Sequence, residues 1–90
     1  MKKVLISVAG QDETGIIAAV ALKLSELNIN ILEITQTILD GCFTMMMIVD
    51  ASQSKVDFSE LDHALQPVRE AKQMSIHIQR MDLFDAMHRV

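Results

Sequence analysis

Ninety residues, half of them apolar, carry twelve acidic and eight basic side chains, for a formal net charge of -4. This size makes one domain with a thin core. The acidic balance argues against a phosphate-backbone binder, which needs clustered Lys and Arg. A single cysteine, Cys42, excludes an internal disulfide and every cysteine-pair zinc or redox motif.

Aromatic residues are confined to Phe43, Phe58 and Phe84, whereas Met occurs seven times. The core is therefore aliphatic, without Trp or Tyr to stack on a nucleic acid or sugar. Lys2-Lys3 before a short apolar run looks like a signal peptide only briefly, because the run is too short. The apolar stretch 16–22 ends at Lys23, far short of the roughly 20 residues of a membrane span. A soluble cytoplasmic chain is the expectation.

Residues 4–9 form a β-rich run, the first predicted strand. Gly10-Gln11-Asp12-Glu13-Thr14-Gly15 is a turn-rich loop. Thr14 is placed to N-cap a helix over 15–27, with Ile16, Ile17, Val20, Leu24 and Leu27 on one face. Asn28 is the expected stop. Residues 29–39 read as the second strand. Asp40-Gly41 is a strong hairpin signal before a third strand over 43–49. A polar linker, 51–56, follows.

Asp57 with Glu60 makes a capping box for a second helix. Its apolar stripe is Phe58, Leu61, Ala64, Leu65 and Val68. Pro67 lies inside it, so a kink or break is expected near Gln66. Residues 74–81 alternate Met74, Ile76 and Ile78 against Ser75, His77 and Gln79, a half-buried fourth strand. Asp82 is placed to cap a short final helix through Met87.

The order is βαββαβ plus a tail helix. It fits an α+β, ferredoxin-like sandwich: a four-stranded antiparallel sheet with two helices on one face and a short C-terminal helix. Residues 1–81 form the domain and 82–90 a helical tail. Val4, Ile6, Val8, Ile34, Met45, Met47 and Ile76 suffice to fill the helix-facing side. Strands two and four give the other face Glu33, Thr35, Thr37, Ser75, His77 and Gln79. The third strand is apolar on both faces, which leaves Met46 and Ile48 on the open side. The first helix leaves Ala18 and Leu22 off its core stripe. A second copy of the chain is the economical cover for these four residues, so a homo-oligomer, dimer or tetramer, is expected.

Gly10-x-Asp12-x-x-Gly15-Ile16 after the first strand, with Leu27-Asn28-Ile29-Asn30-Ile31 at the entry to the second, resembles the ACT domain, a small regulatory module that binds amino acids or related metabolites. The stretch Ile34-Thr35-Gln36-Thr37-Ile38-Leu39-Asp40, with Phe43-Thr44-Met45-Met46, is similar to stand-alone single ACT-domain proteins of prokaryotes. So is the tail Phe84-Asp85-Ala86-Met87. A looser kinship is to the glycine-cleavage repressor type. The resemblance covers residues 1–81.

It implies side-by-side dimers through the first helix and second strand. Ligand would lie between one subunit's first loop and the other's second strand. Carried onto this chain, the ligand-binding residues are Asp12, Thr14, Gly15 and Ile16 in the loop, Asn30 at the strand start, and Gln36. Thr14 stands where many amino-acid-binding loops have Pro, and Gly10 where some carry a polar side chain, which leaves the ligand's identity open.

The chemistry suits a zwitterion. Gly15 permits close backbone approach, and free N–H groups at a helix start favour a carboxylate. Asp12 can accept from an ammonium group, and Asn30 can donate and accept. The same residues also have a purely structural reading, with Asp12 and Thr14 as helix caps, Gly15 as a turn former and Asn30 as a strand end.

Nothing else in the sequence assembles a reaction centre. His63, His77 and His88 have no metal-ligand spacing, and no cofactor or metal is expected. Cys42 reads as an inert, half-buried thiol. The Met45-Met46-Met47 run is core and interface packing. An enzyme would need a site on the open face around Glu33, Thr35 and His77, and no acid-base pair, activated nucleophile or phosphate loop supports one. The expectation is a non-enzymatic sensor of a small molecule, an amino acid by resemblance, passing its signal to a separate protein. The alternative is a protein-interaction module without a metabolite. Neither nucleic acid nor membrane is an expected partner.

Overall fold

In the computed structural model the described residues are 2–11, 13–72 and 74–81, the side chains of residues 13, 14 and 72 excepted. Six elements follow in the predicted order: β1 (Lys3–Gly10), α1 (Glu13–Glu26), β2 (Asn30–Leu39), β3 (Cys42–Asp50), α2 (Phe58–Lys72) and β4 (Ser75–Arg80). The strands form one sheet in the order β2-β3-β1-β4, every neighbouring pair antiparallel. This is the ferredoxin-like α+β sandwich. The expected tail helix, from Asp82 through Met87, lies outside the described residues.

Alternation decides which side chains are buried. Val4, Ile6 and Val8 of β1, Phe43, Met45, Met47 and Val49 of β3, and Ile76 of β4 face the helices. Ile16, Val20 and Leu24 of α1 and Leu61, Leu65 and Val68 of α2 meet them. No polar or charged side chain is buried among the described residues, so the core is held by apolar burial alone.

Local chemistry sets the turns. Asn28 has φ 61°, the left-handed geometry that Asn tolerates. Its N–H donates to the Ser25 carbonyl (3.1 Å) and the Ile29 N–H to the Leu24 carbonyl (2.9 Å), a Schellman ending with Leu24 and Ile29 both buried. Asp40 and Gly41 have φ 52° and 78°, which makes the β2–β3 connection a type I′ hairpin. At the start of α2 the Glu60 N–H donates to Asp57 Oδ1 (2.8 Å), and the Asp57 N–H reaches back to Glu60 Oε1 (3.4 Å).

Three expectations need correction. Thr14 is the second residue of α1, one turn position inside the helix, and not its N-cap. Pro67 does not end α2, which runs on to Lys72. Pro67 and His63 are both exposed, so the His63 carbonyl that loses its N–H donor is on the solvated side. Ile34 is 42% exposed, although it pairs with Met47 on the helix-facing side. β2 is the sheet edge, and the helices leave Ile34 only partly covered.

A bulge at Leu32 shifts the β2 register between Ile31 and Glu33. It puts Ile31 and Ile34, three residues apart, on the same face. Without it, one of them would stand on the open side with Glu33 and Thr35.

Candidate functional site

β1 and β2 are both antiparallel to β3, so they run parallel to each other, and their C-terminal ends share one end of the sheet. The loop into α1 opens there. A Cβ built on Gly10 would lie 2.6 Å from Ile16 Cδ1 and 3.1 Å from Met74 Cβ. Gly10 thus lets the strand end and helix start pack closely. Gly15 is half-buried in the first turn of α1, and the Ile16 side chain is fully buried in the core. Ile16 therefore offers a ligand only its backbone. Asp12 lies outside the described residues, as does the Thr14 side chain.

Asn30 stands at the other end. The 14 residues of α1 separate it from the loop, a rise of roughly 21 Å at about 1.5 Å per residue. Asn30 is exposed and pairs with Asp50 across the β2–β3 ladder. The two residues line a shallow depression of about 450 Å³ with Ser25, Asn28 and Gln53. The Ser52 hydroxyl (2.5 Å) and N–H (2.9 Å) both donate to Asp50 Oδ1. Chiefly through that hydroxyl, then through the N–H, they hold the Asp50 carboxyl below its ordinary range, so it is ionised at neutral pH. Gln36 is exposed midway along β2. Within one chain, then, the loop and Asn30 do not meet.

The surface beside them is apolar. None of the ten residues of β2 is buried, and Leu32 (39%), Ile34 (42%), Ile38 (64%) and Leu39 (71%) are substantially exposed. On α1, which packs next to β2, Ala18 is exposed and Leu22 is 63% exposed. Met46, exposed, and Ile48, half-buried, lie on the opposite, open face, so pairing through α1 and β2 leaves them uncovered and the expectation that one second copy covers all four residues does not carry over to that pairing. Sequence reasoning missed the β2 residues. Alternation assigns faces, but only the strand order shows that β2 is an edge.

One carbonyl of the other edge is occupied. Arg69 of α2 donates through Nε (3.0 Å) and Nη2 (2.8 Å) to the Ile76 carbonyl of β4, and Asp62 fixes its guanidinium at 2.6 Å. No side chain makes a comparable bond to the outer edge of β2 among the described residues. Of the two edges, β2 is the one open to strand pairing.

The open face does not assemble a reaction centre. Glu33 is on one edge strand and His77 on the other, two strands between them and two residues out of line, so they stand about 16 Å apart at about 4.8 Å per strand and about 3.3 Å per residue. Among the described residues no group of three His, Cys, Asp or Glu is placed to hold a metal. Cys42 is exposed rather than half-buried, because it sits at the hairpin mouth with Sγ 3.8 Å from the Gly10 carbonyl. No helix among the described residues is long and apolar enough to cross a membrane.

Comparison with known proteins agrees with this architecture. A UPF0237 protein of Listeria innocua is 48% identical over 88 residues, spanning 98% of this chain and 99% of that protein. The structure of an ACT domain protein from Streptococcus pneumoniae superposes with a TM-score of 0.84 at 39% identity, over 97% of this chain and 98% of the other. The regulatory subunit of aspartate kinase from Thermus thermophilus superposes with a TM-score of 0.66 at 25% identity, over 87% of this chain and 51% of that one. The sequence model of the ACT domain matches residues 2–79. The chain belongs to the ACT domain family.

Proposed function

We propose that the chain is a non-enzymatic regulatory module. It works as a homodimer through α1 and β2 and binds an amino acid at the subunit interface. The observation that carries this reading is the separation of its candidate residues beside an open apolar edge. Antiparallel pairing of two β2 edges about a two-fold axis brings the start of one β2 to the end of the other. Asn30 of one subunit then approaches its partner's junction of β1 and α1, to which Asp12, Thr14 and Gly15 belong, and each dimer has two composite sites. Leu22, Ile34 and Ile38 supply the apolar contact. The ACT domain is a regulatory, ligand-binding fold, and a regulatory subunit of a kinase shares it.

Ligand bridging two subunits favours the quaternary arrangement that holds it. Residues 1–81 form the sensing domain. The 82–90 tail, apolar at Leu83, Phe84 and Met87, is the handle for a separate cytoplasmic partner. A thermal-shift screen with all twenty amino acids tests the ligand class. A ligand at ~100 times its Kd adds about 2.7 kcal/mol of stability. If no amino acid moves the melting temperature, the amino-acid reading is wrong.

The second reading is a protein-interaction module without a metabolite. It is favoured by Met46, exposed on the open face where a solvated sheet would be polar. A stoichiometric partner in a pull-down, together with a flat ligand screen, selects it.

A further inference from the structure

We infer that the cleft between the β1 start and the α2 start is a second ligand site, for a small organic anion with an apolar body and no ammonium group. The cleft is about 570 Å³, within the ~300–1,000 Å³ typical of small-molecule sites. Its floor is apolar: Val4 and Leu61 are buried and Phe58 is half-buried. Its rim is cationic, built from Lys2 and Arg80; Lys3 lines it too, but alternation turns its side chain to the open face.

The fold brings these cations together from both ends of the chain. β1 pairs with β4 in a register that sets Arg80 opposite Val4, and Lys2 and Lys3 directly precede Val4. The Arg80 guanidinium lies 5.6 Å from the Phe58 ring centroid, so the charge is held over the apolar floor. None of the three has a carboxylate partner among the described residues, where the ion pairs are Lys23–Glu26 and Arg69–Asp62. One carboxylate, Asp57, lines the cleft, and its Oδ1 is engaged by the Glu60 N–H.

Two cations without an ion-pair partner among the described residues, against one capping carboxylate in a protein of net charge -4, favour an anion in this concavity. A ligand carboxylate would meet Arg80 and Lys2 while its hydrocarbon body covers Phe58 and Leu61. The same cations repel an ammonium group, which separates this site from the amino-acid site proposed above. The cleft is built within one chain and does not depend on β2 pairing.

Three matched probes test it by amide NMR titration of the full chain: 3-phenylpropanoate, phenylalanine, which adds an ammonium group, and 3-phenylpropanamide, which removes the charge. The expected result is saturable shifts at Val4, Phe58, Leu61 and Arg80 with 3-phenylpropanoate, and binding at least about tenfold weaker for the other two. Arg80→Gln and Lys2→Gln, both at exposed positions, are each expected to weaken 3-phenylpropanoate about tenfold. Leu22→Glu is expected to leave it unchanged, whatever happens to the dimer. Absence of shifts with 3-phenylpropanoate overturns the proposal. So do equal affinities for the three probes, or unchanged binding in Arg80→Gln and Lys2→Gln.

Discussion

Leu22 is the sharpest probe of the proposed subunit interface. Its side chain faces away from the α1 core stripe and is 63% exposed in the single chain. Burying a whole Leu side chain is worth about 1.5–3 kcal/mol, so covering the exposed part gains about 1–2 kcal/mol. A two-fold interface contains the residue twice, and Leu22→Ala therefore removes about 2–4 kcal/mol per dimer. The dimer Kd rises about 30- to 1,000-fold.

Leu22→Glu goes further, because it adds the cost of desolvating a carboxylate. Sedimentation equilibrium over a concentration series reads the effect directly, and circular dichroism checks that the exposed substitution leaves the monomer folded. Met46→Ala on the open face is the control and should leave the Kd within about twofold. An unchanged Kd for Leu22→Ala, or a larger rise for Met46→Ala, refutes the α1–β2 interface.

Three further outcomes follow from the packing. Gly10→Ala places a methyl 2.6 Å from Ile16 Cδ1 and 3.1 Å from Met74 Cβ; it should cost about 1–3 kcal/mol by overpacking and lower the urea midpoint without changing the slope. Arg69→Leu strips the Ile76 carbonyl of two donors; a loss of about 1.5–3 kcal/mol is expected in denaturant melts, and a loss below the error of the melt contradicts the clamp. Asp50 has a depressed folded pKa, so its stabilisation is complete above the ordinary value of 3.8 and disappears as pH falls through the lower folded value. Asp50→Asn should therefore flatten the acid side of a melting-temperature profile, and an unchanged profile removes Ser52 as the cause.

The parts of the fold that depend on near neighbours were legible in the sequence. Asn28 stops α1, Asp40-Gly41 turns the hairpin, and Asp57 with Glu60 starts α2, because each is a backbone problem solved within a few residues. Misreadings arose where distant chain decides. Ile34 satisfies the alternation of a core residue, yet the order β2-β3-β1-β4 leaves it at an edge. Pro67 carries a helix-breaking signal, yet tertiary packing of Leu65 and Val68 on either side keeps α2 continuous.

The candidate site shows the same division. Its loop and strand-start residues were named from pattern and resemblance. Their placement at opposite ends of α1 comes only from the fold. The cationic cleft left no local mark at all, since Lys2, Lys3, Phe58 and Arg80 are spread over nearly the whole chain.

In the proposed assembly each ligand site is shared between two subunits, and a mixed dimer distinguishes that from a site within one subunit. Asp12→Ala and Asn30→Ala are prepared separately, then unfolded and refolded together. The amino acid found in the thermal screen is titrated calorimetrically into each preparation. In a dimer holding one copy of each variant, one composite site carries both substitutions and the other carries neither. Expected are no binding by either variant alone and, in the co-refolded mixture, of which half is mixed dimer with one intact site, native affinity at a quarter of the native stoichiometry. No recovery on mixing would place Asp12 and Asn30 in the same subunit's site, or in none, and would contradict the shared site.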